Sequence, residues 1–291
     1  MYKIAILGTE NSHARSFCNV MKGHPALGGV PYPDFKVVGL CGDNPEENKY
    51  LAENYGIPEI SDDPNAWVGK VDAVVVTARS GAKHFPYAKK YIEAGVPAYI
   101  DKPITFDESE ALELVRLAKK HGVPLCGGSA NSFLDDTRKM KVIADSAEKI
   151  CGGSVCAPIN MKNEWGDFFF YSQHLVQIMC EIFGYGVEAV QALAREDGVT
   201  FIARYKDFDV SGHYGSKKYS ATIYGLNNIW HREIDMSADR YLIAFERFAH
   251  MVRSGKPIMS YEDLIAPVFI LNAIHKSMQT GELVKVNKFE I

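Results

Sequence analysis

Residues 8–13, Gly8-Thr9-Glu10-Asn11-Ser12-His13, follow the apolar run Tyr2 to Leu7, where a strand would turn into a helix. At such a turn a G-x-G-x-x-G loop offers backbone N–H groups and a helix N-terminus to a pyrophosphate. Only the first glycine is kept; Glu10 stands at the second and His13 at the third. The phosphate donors are backbone groups, which do not depend on side chains. Asn11 tolerates a left-handed turn, and Ser12 can cap a helix that starts at His13. In the usual pose, however, the Glu10 carboxylate meets the pyrophosphate. Like charges about 4 Å apart repel by ~1 kcal/mol in water and ~4 kcal/mol at an effective dielectric near 20. The loop thus predicts a dinucleotide site that survives but is loose, with Arg15 or His13 near the anion and Glu10→Gly tightening it by roughly tenfold.

The elements that would position this loop alternate regularly through the first 128 residues. Strand-like segments cover 2–8, 35–42, 71–78, 97–101 and 123–128, and helical patterns cover 45–55, 85–94 and 108–121. The strands read as near-continuous Val, Ile, Ala and Leu, which is how strands buried on both faces read. The second and third helices run into Gly95 and Gly122, as helix C-termini tend to. The expected fold is therefore an α/β, doubly wound parallel sheet. Ligands of such sheets bind beyond the carboxyl ends of the strands, so Gly8, Asp43, Thr77 and the Asp101-Lys102-Pro103 turn should ring one crevice. From residue 129 the rhythm changes. A helix over 135–148 precedes strand-like runs at 154–162, 187–196, 199–207, 217–227 and 229–235, and helices over 238–253 and 261–280 close the chain. Consecutive strands with short polar turns predict a second, α+β domain, 129–291, with a large, mostly antiparallel sheet.

The 291 residues are long enough for two domains, and 47% hydrophobic content allows a sizeable core. A formal charge of -4 without a polybasic run speaks against a nucleic-acid surface. The six cysteines lie mostly in apolar segments and form no C-x-x-C pair or metal-ligand spacing, so they read as reduced residues of a cytoplasmic protein without a metal. The chain opens directly on a strand and has no apolar run of the ~20 residues needed to cross a bilayer, which predicts a soluble protein without signal peptide or membrane partner.

The segment 71–105, VDAVVVTARSGAKHFPYAKKYIEAGVPAYIDKPIT, resembles the Gfo/Idh/MocA family of glucose-fructose oxidoreductase and inositol dehydrogenase relatives. His84, Ala94-Gly95 and Lys102-Pro103 match in kind and spacing, with Asp101 in place of a glutamate. The likeness continues in HLVQIMCEIFG at 174–184 and in the C-terminal helices. It implies an NAD(P)-dependent dehydrogenase of a sugar, polyol or sugar derivative, assembled as a homodimer or homotetramer through the open face of its second sheet. Hydride transfer from an alcohol carbon needs a base for the hydroxyl proton and a group that steadies the alkoxide, and Lys102 suits both tasks. His174 is the second candidate, as a proton relay or a donor to substrate. The family's carboxylate four residues earlier is Phe170 here, leaving Asp167 as a partial replacement. Asn163, Trp165 and Tyr171 are candidate substrate contacts. The cofactor set comprises residues 8–13, Asp43, the loop Thr77-Ala78-Arg79, His84, Asp101 and Lys102. In the family's register Gly42 occupies the usual ribose-binding acidic position and Asp43 the next one, where an anion would repel a 2′-phosphate; NAD is favoured over NADP. Departures at Glu10, His13, Gly42 and Phe170 motivate an alternative, a nucleotide- or sugar-binding regulatory protein on the same fold. A third reading is lyase or hydrolase chemistry with a tightly held NAD.

Overall fold

The computed structural model describes residues 1–23, 31–237 and 239–291. Its first sheet is built by β1 (Tyr2–Leu7), β2 (Phe35–Cys41), β3 (Glu59–Ile60), β4 (Ala73–Val76), β5 (Ala98–Ile100) and β6 (Leu125–Gly127). The order is β3-β2-β1-β4-β5-β6, with every pair parallel. The helices between them are α1 (Ser12–Lys22), α2 (Pro45–Tyr55), α3 (His84–Glu93) and α4 (Glu108–His121). The apolar runs are buried on both faces: Ile4 to Leu7 and Ala73 to Val76 are fully covered. Local chemistry sets the helix ends. Asn44 caps α2 through Glu47 N–H, Asp107 caps α4 through Ser109 and Glu110 N–H, and Gly56 and Gly122 end the same helices with left-handed φ of 65° and 64°. Strand order reverses between β1 and β4, so the crevice opens above their carboxyl ends.

The remainder of the chain comprises α5 (Asp135–Ser146), β7 (Ile150–Ala157), α6 (Phe168–Phe183), β8 (Ala189–Ala194), β9 (Val199–Arg204), β10 (Asp209–Tyr214), β11 (Ser220–Gly225), β12 (Ile229–Glu233), α7 (Arg240–Ser254), α8 (Tyr261–Thr280) and β13 (Val284–Lys285). The second sheet runs β12-β11-β7-β10-β9-β8-β13, antiparallel except where β10 lies parallel to β7. β10 had no counterpart in the sequence reading. Its outward residues are polar and it carries Gly212, where a Cβ would lie 2.1 Å from the Phe201 ring, so a packing requirement took the place of β-branched residues. The short strands β3 and β13 were also not foreseen. The helix expected over 238–253 starts at Arg240; Ala238 lies outside the described residues. α7 packs on α1, burying Phe245 and Phe248 with Phe17 and Tyr99, while Leu264, Ile265 and Phe269 of α8 join the core around α4. α8, which also packs on β8 and β13, thereby fixes the second sheet against the first.

Candidate functional site

The loop after β1 keeps the geometry of a phosphate-binding turn despite its altered residues. Gly8 has φ 92°, and a Cβ there would lie 2.0 Å from the backbone N of Ala78, so this close crossing of β1 and β4 admits glycine alone. Thr77 and Thr9 are buried and structural: Thr77 Oγ1 donates to Gly8 O at 3.1 Å, and Thr9 Oγ1 donates to Asn48 Oδ1. α1 starts at Ser12 rather than His13, and its cap is Asn11, whose Oδ1 accepts from His13 N–H at 3.3 Å. Glu10 does not face the helix. Its Oε1 accepts from Arg79 N–H at 3.2 Å and its Oε2 from Asp43 N–H at 3.4 Å. The repulsion expected at the pyrophosphate position is thus absent, and with it the ground for Glu10→Gly tightening the site. Arg15 is also removed from any anion, since it forms a two-pronged pair with Glu47. A helix N-terminus free of its own carboxylate suits a dinucleotide phosphate.

Below this loop the two sheets enclose a cavity of about 580 Å³. Asn11, Ser12, His13, Arg79 and Lys102 line it from the first sheet; Asn131, Phe170, Tyr171, His174, Tyr219, Asp235, Arg240 and Tyr241 line it from the second half of the chain. Lys102 is buried, with Nζ donating to Phe170 O at 3.1 Å and lying 4.2 Å over the Phe170 ring. Burial pulls its pKa below the ordinary lysine value; neighbouring Asp101 opposes that shift and Arg79 adds to it. Asp101 is buried too and pairs with His13 Nδ1 at 2.5 Å. Burial alone would raise its pKa, but His13, Lys102 and His84 outweigh that and hold the carboxyl at about 2. His174 is buried rather than on the helix surface, and burial, reinforced by Lys102, pushes its pKa well below the usual histidine value. Its Nδ1 lies 2.7 Å from Ser129 Oγ and 3.2 Å from Asn131 Nδ2. An amide nitrogen can only donate, so Nδ1 is the acceptor and the ring proton is on Nε2.

The structure thus brings Asn11, Ser12, His13, Arg79, Lys102, Tyr171 and His174 to one cavity and Asp101 directly behind it. Other expected contacts lie elsewhere. His84 is fully buried, with Nδ1 2.5 Å from Pro103 O and Nε2 2.8 Å from Ala78 O, so it ties together the two loops that frame the crevice. Asn163 spends its side chain inside the 160–167 turn, on Asn160 O, Asp167 O and Trp165 N–H. Asp167 accepts from Asn163 N–H and does not orient His174, a task that falls to Ser129 and Asn131. Trp165 does not line the cavity itself: the Arg79 guanidinium, which does, stacks on its ring at 3.6 Å, joining the loop after β4 to the segment before α6. Asp43 is exposed and ion-paired with Lys83. Sequence reasoning missed Ser129, Asn131, Tyr219, Arg240 and Tyr241. The first two follow β6 in GGSANSF, at the carboxyl end of a parallel strand, and that position was a usable signal. Nothing local marks the others.

A six-stranded parallel sheet of this order, with a positive-φ glycine and a bare helix N-terminus at its switch point, defines a dinucleotide-binding protein of the Rossmann class. Residues 2–128 match the Gfo/Idh/MocA model, the oxidoreductase family with an NAD-binding Rossmann fold. D-glucoside 3-dehydrogenase of Escherichia coli (strain K12) is 28% identical over 144 residues, 48% of this chain and 38% of that protein; the match thus spans well under half of the relative's length. Among solved structures, GenD2 from gentamicin A biosynthesis in complex with NAD aligns with a TM-score of 0.86 at 16% identity, over 99% of this chain and 97% of that one. Scyllo-inositol dehydrogenase from Lactobacillus casei with NAD(H) and scyllo-inositol aligns with a TM-score of 0.84 at 14% identity, over 98% of this chain and 99% of that one. At these identities the likeness is one of fold.

Proposed function

We propose that the protein is an NAD-dependent oxidoreductase that oxidises a hydroxyl-bearing carbon of a sugar, polyol or sugar derivative. One observation carries this reading: Lys102 and His174, from different halves of the chain, converge on a single cavity beside the N-terminus of α1. The N-terminal amides of α1 and the loops after β1, β2 and β4 would hold NAD, whose chemistry when bound is acceptance of a hydride. Lys102, its pKa lowered by burial, takes the hydroxyl proton as a neutral amine. The resulting ammonium is met by Phe170 O, the faces of Phe170 and Tyr171, and Asp101 beside it. His174, neutral, presents Nε2–H as a donor to a substrate oxygen. Tyr171, 5.2 Å from the His174 ring between centroids, walls the same space. Arg79, held by its stacking on Trp165, lines the same cavity.

The reading extends to the whole particle. The partner besides the small-molecule substrate is a second copy of the chain, docked through the outer face of the second sheet. Six free cysteines, four of them buried, fit a reducing cytoplasm; among the described residues no helix is long and apolar enough to cross a membrane. The decisive experiment titrates NAD and NADP calorimetrically, then screens inositols, hexoses and sugar acids for absorbance at the reduced-nicotinamide band. Reduction by one substrate class is expected. Binding of NAD with no reduction across the panel and no NAD-dependent conversion of any compound would leave a binding protein on this fold.

A further inference from the structure

β2 ends at Cys41, and the next residue, Gly42, occupies the place where a Rossmann strand carries the carboxylate that binds the adenosine ribose diol. Here that place has neither a side chain nor room for one. A Cβ at Gly42 would stand 2.0 Å from Thr9 Oγ1 and 2.9 Å from Glu10 Oε2. Thr9, through Oγ1 and its backbone N, and the Glu10 carboxylate beside it together occupy the space that the side chain of residue 42 would enter. The carboxylate is held at both oxygens, by the N–H groups of Arg79 and Asp43, so it spans the ends of β2 and β4 above the end of β1. Each oxygen keeps a second acceptor site for a hydroxyl. Asp43, the other acid at this corner, is exposed and turned onto Lys83.

We propose that Glu10 is the ribose-reading carboxylate of this protein, moved from the end of β2 to the loop after β1, and that it sets the preference for NAD over NADP. This rests on the reading of the crevice as a dinucleotide site. A diol donates two hydroxyl protons to a carboxylate, whereas a 2′-phosphate brings only further negative charge to a corner already holding Glu10 and Asp43, with Lys83 committed to the latter. The same geometry accounts for both departures from the motif: a glutamate is tolerated at the second glycine because its side chain leaves the phosphate position, and a glycine is required at 42 because Thr9 and the Glu10 carboxylate occupy that space.

The test is calorimetric titration of the apo protein with NAD and with NADP, using wild type, Glu10→Gln and Asp43→Asn, with thermal melts confirming that each variant is folded. Wild type is expected to bind NAD at least tenfold tighter than NADP. Glu10→Gln, of equal size but with only one acceptor oxygen, should weaken NAD by about tenfold, the effect of a lost hydrogen bond to a charged group, and tighten NADP, because one of the two anions facing the 2′-phosphate is removed. Asp43→Asn should move NAD by less than twofold. NAD binding by Glu10→Gln as tight as wild type or tighter overturns the assignment and makes Glu10 a plug of the site. A loss confined to Asp43→Asn overturns it in favour of Asp43. If wild type binds neither dinucleotide, the reading of the crevice itself falls and the assignment with it.

Discussion

At the residue scale the site is organised around one buried amine. Lys102→Met keeps most of the side-chain volume and removes the proton acceptor, so turnover should be abolished while NAD affinity stays within a few-fold. A group used in the transition state affects kcat more than ground-state binding. Near-normal kcat in Lys102→Met on an identified substrate would remove it from the mechanism. Because Lys102 must be neutral to accept a proton, kcat/KM for oxidation should fall as pH drops through its pKa, which burial sets below the lysine value of 10.5. Phe170→Asp places a carboxylate near Nζ, where the aromatic ring now lies at 4.2 Å. A nearby anion favours the ammonium, so this limb of the profile should move to higher pH; a shift to lower pH or none would break the link between Lys102 and the profile. Lys102 was legible because a strand, a turn and a proline place it in sequence. The orientation of His174 was not, since its partners Ser129 and Asn131 lie more than 40 positions away and reach it only through the tertiary fold.

At the scale of elements, the parallel sheet was readable almost strand by strand because burial on both faces leaves no polar alternation. α2, α4 and α8 span the ranges expected for them, 45–55, 108–121 and 261–280. The second sheet was harder. β10 sits beside β7 in parallel, a pairing that no local pattern encodes, and its inward glycine is explained only by the Phe201 ring from β9. Glu10 shows the same limit in the loop after β1: its type was plain, its direction was not, because the N–H groups that hold it belong to the ends of two other strands. The crossing of β1 and β4 is a tightly constrained junction of this half. Gly8→Ala combines a φ of 92° with a Cβ 2.0 Å from Ala78 N, and neither backbone can retreat without breaking the ladder. A loss of more than ~2 kcal/mol in unfolding free energy is expected from urea titration. A loss below ~0.5 kcal/mol would mean that the two loops are not in fixed contact.

At the scale of the molecule, the second sheet has one face covered and one bare. α5, α6 and α8 pack on the inner face, where Val210, Tyr214, Ala221, Ile223 and Phe201 are buried. The outer face presents Leu193 and Ile229, each 70% exposed, with Ile202 and Tyr224 about two-fifths exposed. Between them run small polar residues in register, Ile202 beside Ser211, Ser211 beside Ser154, and Ser154 beside Thr222. Such a row of short side chains, with Leu193, Ile229 and Tyr224 around it and the Arg204–Asp209 pair at one side, makes a broad surface that a second identical sheet can meet. Two copies related by a twofold axis would each supply the same patch, the simplest closed arrangement. Light scattering after size exclusion should therefore give a dimer or tetramer at micromolar concentration. Ser211→Arg, at the centre of the row, should shift it toward monomer by bringing two like charges together across the axis, with the melting temperature of the isolated chain little changed. A strict monomer in the wild type, or a Ser211→Arg variant that assembles as before, would place the contact elsewhere and leave this face to solvent.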